Sequence, residues 1–205
     1  MKVGALIPTM GDRPSISFTF KRAVEMGVEW IVCLNKKSST VDLWNKYLDG
    51  LNVLFNINCD VVILLEDDDY YPVQYLQEMI EQWEKNGRPS LLGIQQTIYY
   101  HIYANKYHIF NNQTHCAAFC TLVSKEAKLP PLSESPHFDV ELWKINDGKM
   151  VNIAHQPVGV KHGNGMVGGK FHNADRFKYF DEDMVMYHKL FDKEAIKYFK
   201  EIYKL

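Results

Sequence analysis

Apolar positions along this chain alternate between short continuous runs and helical stripes, and the alternation predicts its elements. Val3 to Ile7 reads as a first strand, left by the loop Pro8-Thr9-Met10-Gly11-Asp12-Arg13-Pro14. Ser15 then caps a helix carrying Phe18, Ala23, Val24 and Met26, which Gly27 ends. Trp30 to Leu34 is a second buried strand. Leu43, Tyr47, Leu48, Leu51, Leu54 and Phe55 recur at helical spacing, so Val41 to Asn56 is a helix that tolerates Gly50. Val61 to Leu65 forms a third strand, and Tyr75, Met79, Ile80 and Trp83 mark a helix ending at Asn86-Gly87. Three strand–helix units in succession predict an α/β nucleotide-binding half with a mostly parallel sheet and right-handed crossovers.

The pattern changes after Pro89. Leu91 to Tyr103 and Lys106 to Asn111 are rich in Ile, Tyr and Thr and flank Ala104-Asn105, which predicts a β-hairpin. Cys116 to Val123 is one more strand, Phe138 to Ile145 a short helix, and Val151 to Ala154 and Val158 to Lys161 short strands. Phe177 to Tyr203 reads as mostly helical. No repeat or long linker separates the parts, so residues 1–205 are expected as a single domain. The change near residue 89 divides it into a nucleotide-binding half (1–88) and a second half of different pattern (89–205) without a domain boundary.

Composition narrows the class. At 205 residues, one core is large enough to stand without staples. A net charge of −2 gives no general pull toward nucleic acid or anionic membrane. Cys33, Cys59, Cys116 and Cys120 lie in or beside apolar runs without metal-ligand pairing, as buried free thiols of a reducing compartment do. No apolar stretch approaches the ~20 residues of a membrane span, so a soluble, cytoplasmic chain without membrane partners is expected. Nothing in the pattern speaks to oligomeric state.

The candidate chemistry begins where the third strand runs into Glu66-Asp67-Asp68-Asp69-Tyr70. Open α/β sheets bind ligands at the C-terminal ends of their strands. Crowded carboxylates raise one another's pKa, and a hard divalent cation relieves that repulsion. The alternative is a solvated acidic loop. A glycine-rich segment, Gly159 to Lys170, carries Lys161, His162 and Gly163 and suits close approach of backbone to phosphate; alone it is equally a flexible turn. Asp139 opens the helix Phe138-Asp139-Val140-Glu141-Leu142-Trp143, either as a helix-start carboxylate favoured by the dipole or as a general base. Tyr99, Tyr100, His101, Tyr103, Tyr107 and His108 form either a half-buried sheet surface or a platform for a sugar ring or a flipped base.

Taken in order, Ile7-Pro8-Thr9 after the first strand, the apolar strand ending in Glu-Asp-Asp-Asp, the Asp139 helix and the late Lys161-His162-Gly163 resemble a GT-A-fold glycosyltransferase, most closely the inverting family 2 type. The resemblance covers nearly the whole chain. It implies a GT-A-type sheet with helices on both faces and a C-terminal acceptor-side hairpin and helices. It further implies a UDP-sugar donor and Mn2+ or Mg2+ as cofactor. In such enzymes a DxD motif holds ribose and metal. Asp67 and Asp69 match that spacing, as do Glu66 and Asp68; Asp69 is assigned to metal and Asp67 to ribose, with Asp68 the rival ligand. His162 matches the late metal ligand and Asp139 the catalytic base. Pro8, Thr9 and Arg13 match the loop that meets the nucleotide base, and Asn35 stands where the family commonly has Asp, which leaves the base less determined.

Compact members of this look occur in phages, where some modify DNA bases. Hydroxymethylpyrimidine in DNA is therefore an acceptor to test beside glycans and lipid-linked sugars, with Lys106, Lys125, Lys161, Lys170, Arg176 and Lys178 as groove cations and Tyr100, Tyr103 and Tyr107 as base holders. A metal-dependent phosphohydrolase or nuclease using the same acidic cluster, and a non-catalytic sugar-nucleotide or glycan-binding module, are the rival classes.

Overall fold

The computed structural model describes residues 1–9, 15–35, 40–133, 135, 137–162 and 173–205, the side chains at 35, 40 and 41 excepted. Arg13, Gly163 and Lys170 lie outside the described residues, as does the side chain of Asn35.

Strands β1 (Val3–Thr9), β2 (Trp30–Asn35) and β3 (Val61–Leu64) pair in parallel with β1 between the other two. Every β1 and β3 side chain is buried, which is why both read as unbroken apolar runs. The β1–β2 crossover runs through α1 (Ile16–Glu25) and the β2–β3 crossover through α2 (Thr40–Asn56). The chain steps from β1 to β2 in one direction and from β2 back past β1 to β3 in the other, so right-handed crossovers would set the two helices on opposite faces and make the β1/β3 junction the topological switch point.

Helix α2 packs Trp44, Tyr47, Leu51 and Leu54 against the sheet, all at most 2% exposed. Each such side chain contributes about 1.5–3 kcal/mol by leaving water. Gly50 has a specific reason to be there: a Cβ at this position would sit 2.2 Å from Leu6 Cδ1 of β1. With Leu6 in this rotamer there is no room for a Cβ, so the residue that weakens the helix locally is also what accommodates the Leu6 side chain beneath it.

Past residue 88 the chain returns to the same sheet. After α3 (Tyr75–Lys85), β4 (Leu91–Ile94), β7 (Thr121–Ser124) and β8 (Gly148–Val151) extend it to six strands in the order β2-β1-β3-β7-β4-β8, with β7 antiparallel to both neighbours. The long run expected from Leu91 to Tyr103 is two strands in two sheets. At Gln95 the backbone N–H still donates to Val151 O of the first sheet, while its carbonyl accepts from Asn112 N. From there β5 (Gln96–His101) pairs with β6 (Lys106–Asn111) as the expected hairpin, and with β9 (Val158–Lys161) in parallel. The short strand β10 (Tyr179–Phe180) completes this second sheet.

Other expectations shift. The strand expected from Cys116 begins at Thr121, after a 3-10 turn at Ala118–Cys120. The strand expected at Val151 to Ala154 is β8, three residues earlier. The helical stretch from Phe177 divides into β10, α5 (Val185–Leu190) and α6 (Lys193–Tyr203), because Asp181 and Met184, at φ 54°, turn the chain between them. Ser15 occupies the N-cap of α1 but makes no side-chain cap. Cys33 is exposed; Cys59, Cys116 and Cys120 are buried free thiols as expected.

Two apolar cores result, one under the six-stranded sheet and one where the second sheet packs on α5 and α6. Among the described residues no helix is long and apolar enough to cross a membrane.

Candidate active site

The switch point between β1 and β3 is closed by a hydrogen bond. Thr9, the last residue of β1, donates from Oγ1 to Asp67 Oδ2 at 2.6 Å, and Thr19 of α1 donates to the Asp67 carbonyl at 3.3 Å. Pro8 precedes Thr9 in register with Leu34 of β2. Lys46, only 3% exposed, reaches over from α2 and donates to the Thr9 carbonyl at 2.8 Å. A buried ammonium thus sits beside the strand end assigned to the nucleotide. Sequence reading missed it, because Lys46 lies one position from the buried Tyr47 on a stripe where a lysine is expected to point outward.

The next carboxylates face the other side of the loop. Glu66, Asp68 and Asp69 each offer an oxygen within 4.8 Å of the others. Glu66 is held by two tyrosines: Tyr47 donates to its Oε1 at 3.2 Å, and its own backbone N–H donates to the Tyr71 hydroxyl at 2.6 Å. Asp69 is 2% exposed. Its Oδ1 accepts from Val160 N at 2.8 Å and lies 3.8 Å from Lys161 Nζ. No hydrogen-bond donor among the described residues reaches its Oδ2. Burial pushes the Asp69 carboxyl well above the usual carboxylate range against the pull of Lys161, and the charges of Asp68 and Glu66 add to the rise. Loss of hydration likewise raises Glu66, with Lys161 opposing and Asp68 adding.

Lys161 and His162 arrive from β9. Tyr70 pairs with Val158 as an isolated bridge, which draws β9 against the acidic loop. Lys161, itself buried, lies over the Tyr99 ring at 5.0 Å. His162 Nε2 stands 3.3 Å from Asp68 Oδ2, so the imidazole borders the carboxylate group on the Asp68 side.

Asp139 sits in the first turn of α4 (Phe138–Lys144). Phe138 stacks on Tyr47 at 4.4 Å and meets Trp44 edge-on at 5.2 Å, so the tyrosine that holds Glu66 also seats the start of α4. Asp139 is close enough for its charge to raise both Glu66 and Tyr47. Its own carboxyl is raised by burial, with the Val140 N–H and the His115 and His137 charges opposing. The structure therefore gathers Glu66, Asp67, Asp68, Asp69, Lys161, His162, Thr9 and Asp139 at one end of the sheet.

Of the three tyrosines named as base holders, one is taken up by the core. Tyr100 is fully buried against Tyr187 and Phe191 and donates to Asp181 Oδ2 at 2.9 Å, so it builds the second core. Lys125 pairs with Asp60 at 3.0 Å. Asp60 precedes β3, so this cation lies at the opposite end of the strand from the acidic loop. Tyr103 is exposed, and Tyr107 stacks on Tyr179 at 5.1 Å. A cleft of about 450 Å³ beside α4, lined by Gln95, Asn112, Gln113 and Asn146, has its amides largely engaged: Asn112 donates to Ile94 O and Thr97 Oγ1, and Asn146 to Lys128 O and Leu142 O.

No protein-family profile matches the chain, and no curated protein sequence does. Solved structures share its fold. A197 from STIV superposes with a TM-score of 0.52 at 15% identity, over 74% of this chain and 82% of that one. S. aureus TarS residues 1–349, in complex with UDP-GlcNAc, superposes with a TM-score of 0.51 at 11% identity, over 81% of this chain. The chain spans 60% of that fragment. With the 2-1-3 parallel strands, the mixed six-stranded sheet and the hairpin beyond it, this likeness establishes the fold as α/β of the GT-A type.

Proposed function

We propose that this chain is a metal-dependent glycosyltransferase that moves a sugar from a nucleoside-diphosphate donor to an acceptor hydroxyl, with inversion. The observation that carries the reading is Asp69. It is a buried carboxylate with one oxygen undonated, grouped with Glu66 and Asp68 at the C-terminal end of β3. The fold supports it, since a structure of similar fold, TarS, is in complex with UDP-GlcNAc.

The donor set suits a hard divalent cation, Mn2+ or Mg2+: three carboxylates with an imidazole at their border. Asp69 and His162 are the proposed ligands. The contact between His162 and Asp68 favours Asp68 as a further one. Bound there, such an ion supplies charge stabilisation to a diphosphate leaving group. The chain's own residues do the rest. Asp67, held by Thr9, is the proposed acceptor for a ribose hydroxyl, and Pro8, Thr9, Arg13 and Asn35 are the proposed contacts to the base, uridine by family pattern. Lys161 is the proposed counter-charge for the diphosphate, and Gly163 its proposed backbone contact by sequence pattern. Asp139 takes the proton of the attacking hydroxyl as its oxygen bonds to the sugar's anomeric carbon, and the bond from that carbon to the diphosphate oxygen breaks. Residues 1–88 then form the donor half and 89–205 the acceptor half of one unit. The acceptor class is open between hydroxymethylpyrimidine DNA, glycans and lipid-linked sugars; Lys106, Arg176 and Lys178 remain as cations for a polyanion.

The test is calorimetric titration of UDP-sugars with and without Mn2+, followed by mass spectrometry of hydroxymethylated DNA and saccharide acceptors. Metal-dependent donor binding and a hexose-sized mass gain in one acceptor class, with intact UDP released, are expected. Release of inorganic phosphate or nucleotide fragments without transfer assigns the cluster to a phosphohydrolase or nuclease instead. Metal-dependent binding without any turnover assigns it to a binding module.

A further inference from the structure

We infer that Tyr203 is a positioning residue for His162, and that α6 is a splint joining the two parts of the acidic site. The inference rests on the metal-binding reading above. β9 ends at Lys161, so His162 is the first residue past the sheet and pairing no longer fixes its side chain. The ring of Tyr203 stacks on the imidazole at 4.9 Å and 21° and so restricts its plane. With the ring plane so held, Nε2 faces Asp68 Oδ2. Tyr203 is in turn gripped by Tyr103, which meets its ring edge-on at 6.2 Å and donates to its carbonyl at 3.3 Å, and by Phe199 at 6.0 Å.

The other end of α6 holds the acidic loop itself. Asp192 caps the helix by accepting from Ala195 N, accepts from the Tyr70 hydroxyl at 3.1 Å, and pairs with buried Arg22 at 2.5 Å. Tyr70 is the residue after Asp69. One helix of 11 residues, about 16 Å long, therefore touches the site twice, at the loop bearing the carboxylates and at the imidazole. The loop and β9 already meet through the Tyr70–Val158 bridge and the bond from Val160 N to Asp69; α6 adds a brace that runs from the loop to the imidazole just past the end of that pairing. Orienting partners of this kind are commonly worth ~10–100-fold in metal affinity.

The experiment titrates Mn2+ alone into the full chain, with free ion read by electron paramagnetic resonance, and reads the His162 ring protons by NMR in separate metal-free samples. Tyr203→Phe keeps the ring and should bind Mn2+ within about twofold of wild type, while Tyr203→Leu, filling similar space without an aromatic face, should bind ~10-fold more weakly. The upfield ring-current displacement of the His162 protons should survive in the Phe variant and vanish in the Leu variant. Should Tyr203→Leu fail to fold, Tyr70→Phe removes one hydroxyl from the far anchor and should weaken binding about fivefold, the worth of one hydrogen bond. Equal Mn2+ affinity in wild type and Tyr203→Leu (or in Tyr70→Phe, where that variant stands in) overturns the positioning role alone. A wild-type chain that binds no Mn2+ overturns the metal reading and this inference with it.

Discussion

Asp69 and Asp181 are buried to similar depth, 2% and 5% exposed, and are treated in opposite ways by their surroundings. Asp181 is saturated: Tyr100 Oη and Tyr187 N donate to Oδ2 at 2.9 and 2.8 Å, and Met186 N to Oδ1 at 3.0 Å. It starts α5 and ties that helix to β5. Asp69 has one backbone donor and a lysine beyond normal hydrogen-bond length; its second oxygen has only neighbouring carboxyls to meet, with Glu66 within side-chain hydrogen-bond reach. Burying a carboxylate is costly unless it is fully partnered. One aspartate is satisfied completely and stabilises the fold; the other is left with unmet acceptor capacity, which is what the proposed cation would meet.

The largest expected effect extends the functional side of this contrast to Asp139. Asp139→Asn keeps the shape and removes the proton acceptor, so donor affinity should persist while transfer falls by roughly 10²–10⁴-fold. Because burial raises this carboxyl, the acid limb of kcat/KM should lie above the ~3.9 of an ordinary aspartate, with activity lost as pH falls through it. Near-normal turnover in the variant would reduce Asp139 to a helix-start charge.

Next comes the direct exchange. Asp69→Ala should weaken Mn2+-dependent donor binding by more than about 100-fold, a larger loss than partners outside the ligand set produce, and leave thermal stability close to wild type. Asp181→Ala should do the reverse. Three donors lose their acceptor at about 1 kcal/mol each, so roughly 3 kcal/mol of stability should go, while Mn2+-dependent binding at 10 °C below the variant's melting point stays unchanged. Calorimetric titration and denaturant unfolding on the same samples read both; two variants alike in either measurement would collapse the distinction.

A smaller effect concerns pH in the metal-free protein. Asp69 holds its proton more tightly folded than unfolded, so its contribution favours folding below the unfolded pKa of about 3.9 and is lost as pH rises through the raised folded value. Wild-type stability relative to Asp69→Asn should therefore decline from acid to neutral pH, and added Mn2+ should restore it. A constant difference across that range would contradict the burial argument.

The functional side of the contrast was legible in the sequence and the structural side was not. Val61 to Leu65 running into four acids is a local signal, since burial on both sheet faces forces a continuous apolar run and the strand's end follows directly. The order of Thr9, the acidic loop, Asp139 and His162 could likewise be read along the chain. Asp181 could not, because its partners are set by tertiary packing: Tyr100 lies 81 residues away. The same limit explains the Leu91 to Tyr103 run, where β-branched and aromatic residues report extended backbone but not which sheet receives it. Lys46 escaped for a related reason. A lysine is buried only when a specific acceptor waits, and that acceptor is a carbonyl 37 residues earlier.

The close seat of α2 on β1 couples packing to charge. Lys46 and Gly50 are one helical turn apart on the same element: at the glycine the helix lies on the Leu6 side chain, and at the lysine it reaches the Thr9 carbonyl. A contact made inside the apolar core therefore also sets where a buried ammonium stands, and a change of side-chain volume at Leu6 or position 50 is felt as a change of electrostatics at the end of the first strand.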